Sequence, residues 1–147
     1  MDRMARNLSI AACGLFIASL VLPVAEITIF DHPTLVLGWE AAVSSVGLGA
    51  ADVPHAGMRL LAAAAIGNVV FVLAPWMVLK ARGRTASLIY MVGVAAGLLL
   101  AIAVPLVRDD FAALHGGYFV WIGAFFLLLG AVGLRIGTRT MHGYETR

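Results

Sequence analysis

Residues 80–84 read KARGR, and residues 85–107 read TASLIYMVGVAAGLLLAIAVPLV. The second stretch contains no Asp, Glu, Lys or Arg, and a basic cluster precedes it. At 1.5 Å rise per residue a helix over 85–107 covers the roughly 30 Å of a hydrocarbon layer. Backbone in lipid must satisfy its own hydrogen bonds, so a helix is the expected form. Three further uncharged runs lie at about 8–24 (LSIAACGLFIASLVLPV), 58–79 and 118–136, with the single charges Arg59 and Arg135 near run ends. The reading is an all-α membrane protein: one membrane domain over 1–147, built as a four-transmembrane-helix bundle.

Charge orients the bundle. With those spans, Arg3, Arg6, Lys80, Arg82, Arg84, Arg135, Arg139 and Arg147 fall on one side, offset only by Asp2 and Glu145. Glu26, Asp31, Glu40, Asp52, Asp109 and Asp110 fall on the other, with Arg59 and Arg108. Basic flanks stay on the side of synthesis, so both termini are expected in the cytoplasm of a bacterial inner membrane. A composition of 62% hydrophobic and 12% charged residues leaves too little polar surface for a water-soluble domain of 147 residues. The basic residues occupy short span flanks, which excludes a nucleic-acid surface. The N-terminal run reads as an uncleaved signal anchor, because Pro23 spoils the cleavage region. The expected partner common to all spans is the lipid bilayer.

The outer loop over 25–57 is the one large non-spanning segment. ITIF (27–30), a turn at Asp31-His32-Pro33-Thr34 and LVLGW (35–39) read as a small β-hairpin. GWEAAVSSVGLG (38–49) is too short to span and reads as a surface helix, with Trp39 at headgroup level. Lys80–Arg84 and Arg108–Gly117 are short links, so spans two, three and four are expected as consecutive antiparallel neighbours. Pro105 is expected to mark the end of span three, and Pro75 to kink span two.

Small residues let helices approach in lipid, where apolarity gives no drive to associate. Gly93 and Gly97 in span three, Gly67 in span two, and Gly123, Gly130, Gly133 and Gly137 in span four supply them. Tight packing within the chain is one use; a homo-oligomer through the glycine-rich faces of spans three and four is another. Asn68 is the most polar side chain inside a span and needs a carbonyl or hydroxyl partner on a neighbouring helix.

Chemistry-bearing residues are sparse. His32, His55 and His115 share the outer side with six carboxylates, a donor set that suits zinc or copper if the loops converge. Their spacing marks no metal site, and solvated loop residues are the simpler reading. The single cysteine, Cys13, excludes an internal disulfide and a thiolate-rich centre. No phosphate-binding loop, dinucleotide fingerprint or nucleophile elbow occurs, so no cofactor and no enzymatic activity are expected. No ionisable group stands at membrane depth, which argues against a self-contained ion-coupled carrier.

Leu22-Pro23-Val24, followed by Gly38-Trp39-Glu40-Ala41-Ala42, resembles a pattern in uncharacterised small bacterial four-span inner-membrane proteins. Those carry Leu-Pro-Ala at the end of span one and Gly-Trp-Glu/Gln-Ala-Leu in the first outer loop. The resemblance implies the four-span plan and no activity. The plan is also similar to that of claudin-like tetraspans, although no loop cysteine is present here. The function expected is that of a structural or accessory subunit, with Asp31, Pro33, Trp39 and Glu40 as its recognition element. A small oligomeric transporter or channel for an apolar or weakly polar solute, passing Asn68, is the first alternative. An intramembrane or redox-associated enzyme using the outer histidines and carboxylates is the second.

Overall fold

The computed structural model describes residues 2–29, 32–50, 67–74, 76–77, 83–107 and 111–145. Three of its helices are long and apolar enough to cross a membrane: their spanning parts are Arg3–Val21, Thr85–Ala103 and Gly116–Gly137. They belong to α1 (Asp2–Val21), α4 (Arg84–Val107) and α5 (Gly116–Glu145). Residues 67–74 and 76–77 are also helical and are called α3. The rest of the expected span at 58–79, with the kink expected at Pro75, lies outside the described residues.

Helix α1 starts six residues before the expected span and stops three before its end. Pro23 is the reason: it lacks an N–H and pushes the residue before it out of helical conformation. The chain continues directly into strand β1 (Pro23–Ile29), which pairs antiparallel with β2 (His32–Leu37). The expected hairpin is therefore present. Its turn was expected to include His32, Pro33 and Thr34, and these instead belong to β2, because Ile29 already pairs with His32. Asp31 lies outside the described residues. Gly38–Ala50 forms α2, the expected short helix.

The link between α4 and α5 departs from a plain connection. Phe111–Leu114 forms β3, which pairs antiparallel with β1 and completes a sheet in the order β2-β1-β3. Helix α4 ends two residues beyond Pro105, and α5 runs past the expected end at 136.

Contacts between helices fix their directions. The Tyr118 hydroxyl donates to the Ala101 carbonyl at 3.0 Å, tying the start of α5 to the end of α4. The Tyr90 hydroxyl donates to Val70 O at 2.5 Å, while Gly97 meets Gly67, so α3 and α4 are antiparallel. The Trp121 indole N–H donates to Asn68 Oδ1 at 3.1 Å, and Arg135 Nη1 to Met77 O at 2.8 Å, so α3 runs with α5. The sheet sits at the end shared by the C-termini of α1 and α4 and the N-terminus of α5. All five basic residues among the described residues, Arg3, Arg6, Arg84, Arg135 and Arg139, belong to the other end.

The core is aromatic. Phe16 of α1 stacks on Phe71 of α3, with centroids 4.4 Å apart and planes at 2°. Phe71 meets Phe125 edge-on at 4.8 Å, and Phe125 meets Trp121 at 5.6 Å. Phe125, Leu128 and Val94 are fully buried. The outward faces are equally apolar: Ile10, Ile17, Val72, Val92, Leu99 and Phe126 are all exposed. Water would not tolerate such a surface on a monomer, and lipid does. The three helices together with this surface point to a multi-pass integral membrane protein.

Candidate functional site

Among the described residues the most constrained place is Leu22-Pro23-Val24, where α1 ends and the sheet begins. Pro23 lacks an N–H to continue the helix, and two distant backbone N–H groups take the carbonyls on either side of it. Gly38 N–H donates to Leu22 O at 3.0 Å, and His115 N–H donates to Val24 O at 3.0 Å. These bonds bring the start of α2 and the start of α5 to the same junction.

Both approaches need glycine. A Cβ on Gly38 would overlap the Ser19 carbonyl oxygen and lie 2.9 Å from Leu20 Cα. A Cβ on Gly117 would lie 2.7 Å from Pro23 O and 2.9 Å from Leu22 Cβ. The neighbouring Ser19 is buried, and its hydroxyl donates to Phe16 O at 2.7 Å within the same helix.

Glu40 completes the entry to α2. The Leu37 N–H donates to Glu40 Oε2 at 2.9 Å, the arrangement in which a third-position Glu reaches back to cap its own helix. The carboxylate also lies where the helix dipole favours negative charge. Glu40, expected in a recognition element, is thus occupied in holding α2 to β2. Trp39, beside it, is 50% exposed. His32, Pro33, Thr34 and Leu35 are exposed in succession along β2, an edge strand, where a proline is tolerated.

The outer histidines separate. His115 lies at the base of the sheet, beside Val24; His32 lies at its far end, opposite Ile29. Four residues of β1 intervene, five steps or about 16 Å of extended chain. His55 lies outside the described residues. Among the described residues no group of three His, Cys, Asp or Glu is placed to hold a metal ion.

One histidine–carboxylate contact does form. His115 Nε2 is 3.6 Å from Glu26 Oε2, with both side chains about two-thirds buried. That distance suits an ion pair whenever the imidazole is charged, but it is too long for a hydrogen bond, and the buried Nε2 has no hydrogen-bond partner. The contact joins β1 to the residue that precedes α5, whose carbonyl accepts the Tyr118 N–H at 3.0 Å.

The chain matches no family model, no curated protein and no solved structure. What its junction does is therefore read from geometry. The two short motifs at 22–24 and 38–42 meet in space, and three of their residues have a physical task there. Pro23 stops a helix, Gly38 permits a close approach, and Glu40 caps the next helix. The third participant, His115-Gly116-Gly117, was marked in the sequence only by an outer-side histidine and by a glycine pair before an apolar run. Such a pair commonly marks a turn, and its partner lies 94 residues earlier in the chain, at Pro23.

Asn68 finds its partner in the Trp121 indole rather than in a carbonyl or hydroxyl. At the same depth Gly67 and Gly97 pack against each other and against the Phe125 ring. Asn68 thus joins two helices inside a closely packed crossing.

Proposed function

We propose that this chain is a bacterial inner-membrane protein of four spans, the fourth supplied by residues 58–79, with both termini cytoplasmic. It acts as a structural or accessory subunit without an enzymatic role, and presents the sheet and α2 outside as a recognition element. The separation of charge supports the orientation: basic residues gather at one end, while Glu26 and Glu40 belong to the sheet end. The resemblance at 22–24 and 38–42 to small four-span proteins agrees with this plan.

One observation carries the functional reading. The sheet and α2 form a cap pinned to the ends of α1 and α5 by backbone contacts, and on that rigid base β2 leaves four consecutive residues exposed, alternating between its two faces. A surface fixed so firmly, on a bundle whose polar interior groups are occupied by packing, suits recognition better than transport or catalysis. Pro33, Leu35 and Trp39 are its exposed members. Leu35→Glu in the full-length protein, extracted in mild detergent, is expected to lose a copurifying protein while its thermal midpoint stays unchanged. An identical set of copurifying proteins would count against the cap as the contact.

A second reading concerns self-association, and α5 favours it. Nothing lies within 4 Å of where a Cβ would stand on Gly123, Gly130 or Gly133. They alternate with the exposed Phe119 and Phe126 at three- and four-residue spacing, the pattern of a left-handed helix pair. Gly67, Gly97, Gly38 and Gly117, by contrast, are all used within the chain. Gly130→Leu is expected to shift a dimer toward monomer in native mass spectrometry; an unchanged mass distribution would remove this reading.

A further inference from the structure

We infer that the exposed apolar face at the start of α2, Trp39 and Val43, is a bilayer contact lying at the boundary between acyl chains and headgroups. The inference rests on reading α1 as a membrane span, and it moves Trp39 from the protein-facing part of the cap to the lipid-facing part.

Three observations carry it. First, Trp39 and Val43 are one helical turn apart on the same side of α2, at 50% and 63% exposure. Such a pair is costly in water and ordinary in an interface. Second, α2 begins at a fixed height. Gly38 N–H bonds Leu22 O, and Gly38 lies against Ser19 and Leu20, so Trp39 is held at the level where α1 ends. Third, the apolar outer surface of α1 runs up to that level through Ile10, Ile17 and Val21, the last 70% exposed. Lipid covering α1 therefore reaches the height at which Trp39 and Val43 stand.

The chemistry of the residues agrees with that depth. Trp combines a large apolar ring with one N–H donor and concentrates where hydrocarbon meets headgroups. Glu40, the next residue, is kept from the hydrocarbon by its bond to Leu37 N–H. The exposed face of α2 has no Lys or Arg in the chain, so attraction to anionic headgroups plays no part and burial of apolar surface does the anchoring.

Site-directed spin labelling tests this. In a Cys13→Ala background, single cysteines replace Val43 or, as a reference on β2, Thr34. Each full-length protein carries a nitroxide and sits in phosphatidylcholine–phosphatidylglycerol vesicles. Collision with oxygen, which enters lipid, is compared with collision with a water-soluble nickel chelate. A label at residue 43 is expected to show an oxygen-to-nickel ratio several-fold above that at residue 34, independent of the fraction of anionic lipid. Equal ratios at the two positions would overturn the inference and leave Trp39 facing water, available to a protein. If Val43→Cys fails to fold, Trp39→Cys, one turn earlier on the same face of α2, takes its place, with the same two outcomes. Loss of a partner on Leu35→Glu reports on β2 alone, so failure of the recognition reading and failure of this one are told apart.

Discussion

Gly38→Ala is expected to be among the most damaging single substitutions in the chain. The added methyl group would overlap the Ser19 carbonyl oxygen, a backbone atom inside a helix. No rotamer change relieves such a clash, because alanine has none to offer and the obstacle is not a side chain. Either α2 lifts away and loses the Gly38–Leu22 hydrogen bond, or the last turn of α1 unwinds. The expected loss is about 4 kcal/mol or more, at the top of the range for point substitutions. Thermal or denaturant unfolding of the purified protein in mild detergent measures it. Gly123→Ala is the matched control: the same chemical change, in a helix, with nothing within 4 Å of the new atom. There helix propensity alone acts, favouring alanine by about 1 kcal/mol. The two substitutions are expected to move stability in opposite directions. A Gly38→Ala protein as stable as the parent would mean that α1 and α2 do not meet as described.

That contrast marks the limit of what sequence can convey here. Uncharged runs longer than a bilayer is thick, bounded by arginines, determine helices whatever the neighbours are. The hairpin was legible because β-branched residues flank a turn, and α2 because GWEAAVSSVGLG is helical but too short to span. The position of a glycine says nothing of what stands opposite it. Gly38, Gly117 and Gly97 stand hard against other segments and Gly130 is open, and nothing in their immediate sequence separates the two kinds. Strand β3 was not legible for the same kind of reason. FAAL is four residues long with no alternation, and it becomes a strand only because β1, more than eighty residues earlier, offers it an edge. Glu40 and Asn68 were both visible as polar residues in unusual places. Their roles depended on the Leu37 N–H in one case and the Trp121 indole in the other, and such pairings are settled by tertiary structure.

The second large effect is expected at the crossing of α3, α4 and α5. A Cβ on Gly97 would lie 2.8 Å from Phe125 Cε1 and 3.1 Å from Gly67 Cα. Phe125 is fully buried, wedged between Phe71 and Trp121, so its ring has nowhere to turn. In a bilayer the loss of such packing is not offset by any hydrophobic gain, because lipid is as apolar as the core. Gly97→Ala is expected to cost about 1–3 kcal/mol by overpacking, and Phe125→Ala about 3 kcal/mol or more by leaving a cavity. The pair should not add. Removing the ring gives the new methyl group room, so the double variant is expected to fall short of the sum by about 1 kcal/mol or more. Full recovery is not expected, because the Gly67 backbone still opposes the methyl group after the ring is gone. Unfolding of the four proteins in one detergent measures the coupling. Strict additivity would show that the ring does not set the distance between α4 and α5, and that Gly67 alone holds the crossing; a coupling equal to the whole cost of Gly97→Ala would show the reverse.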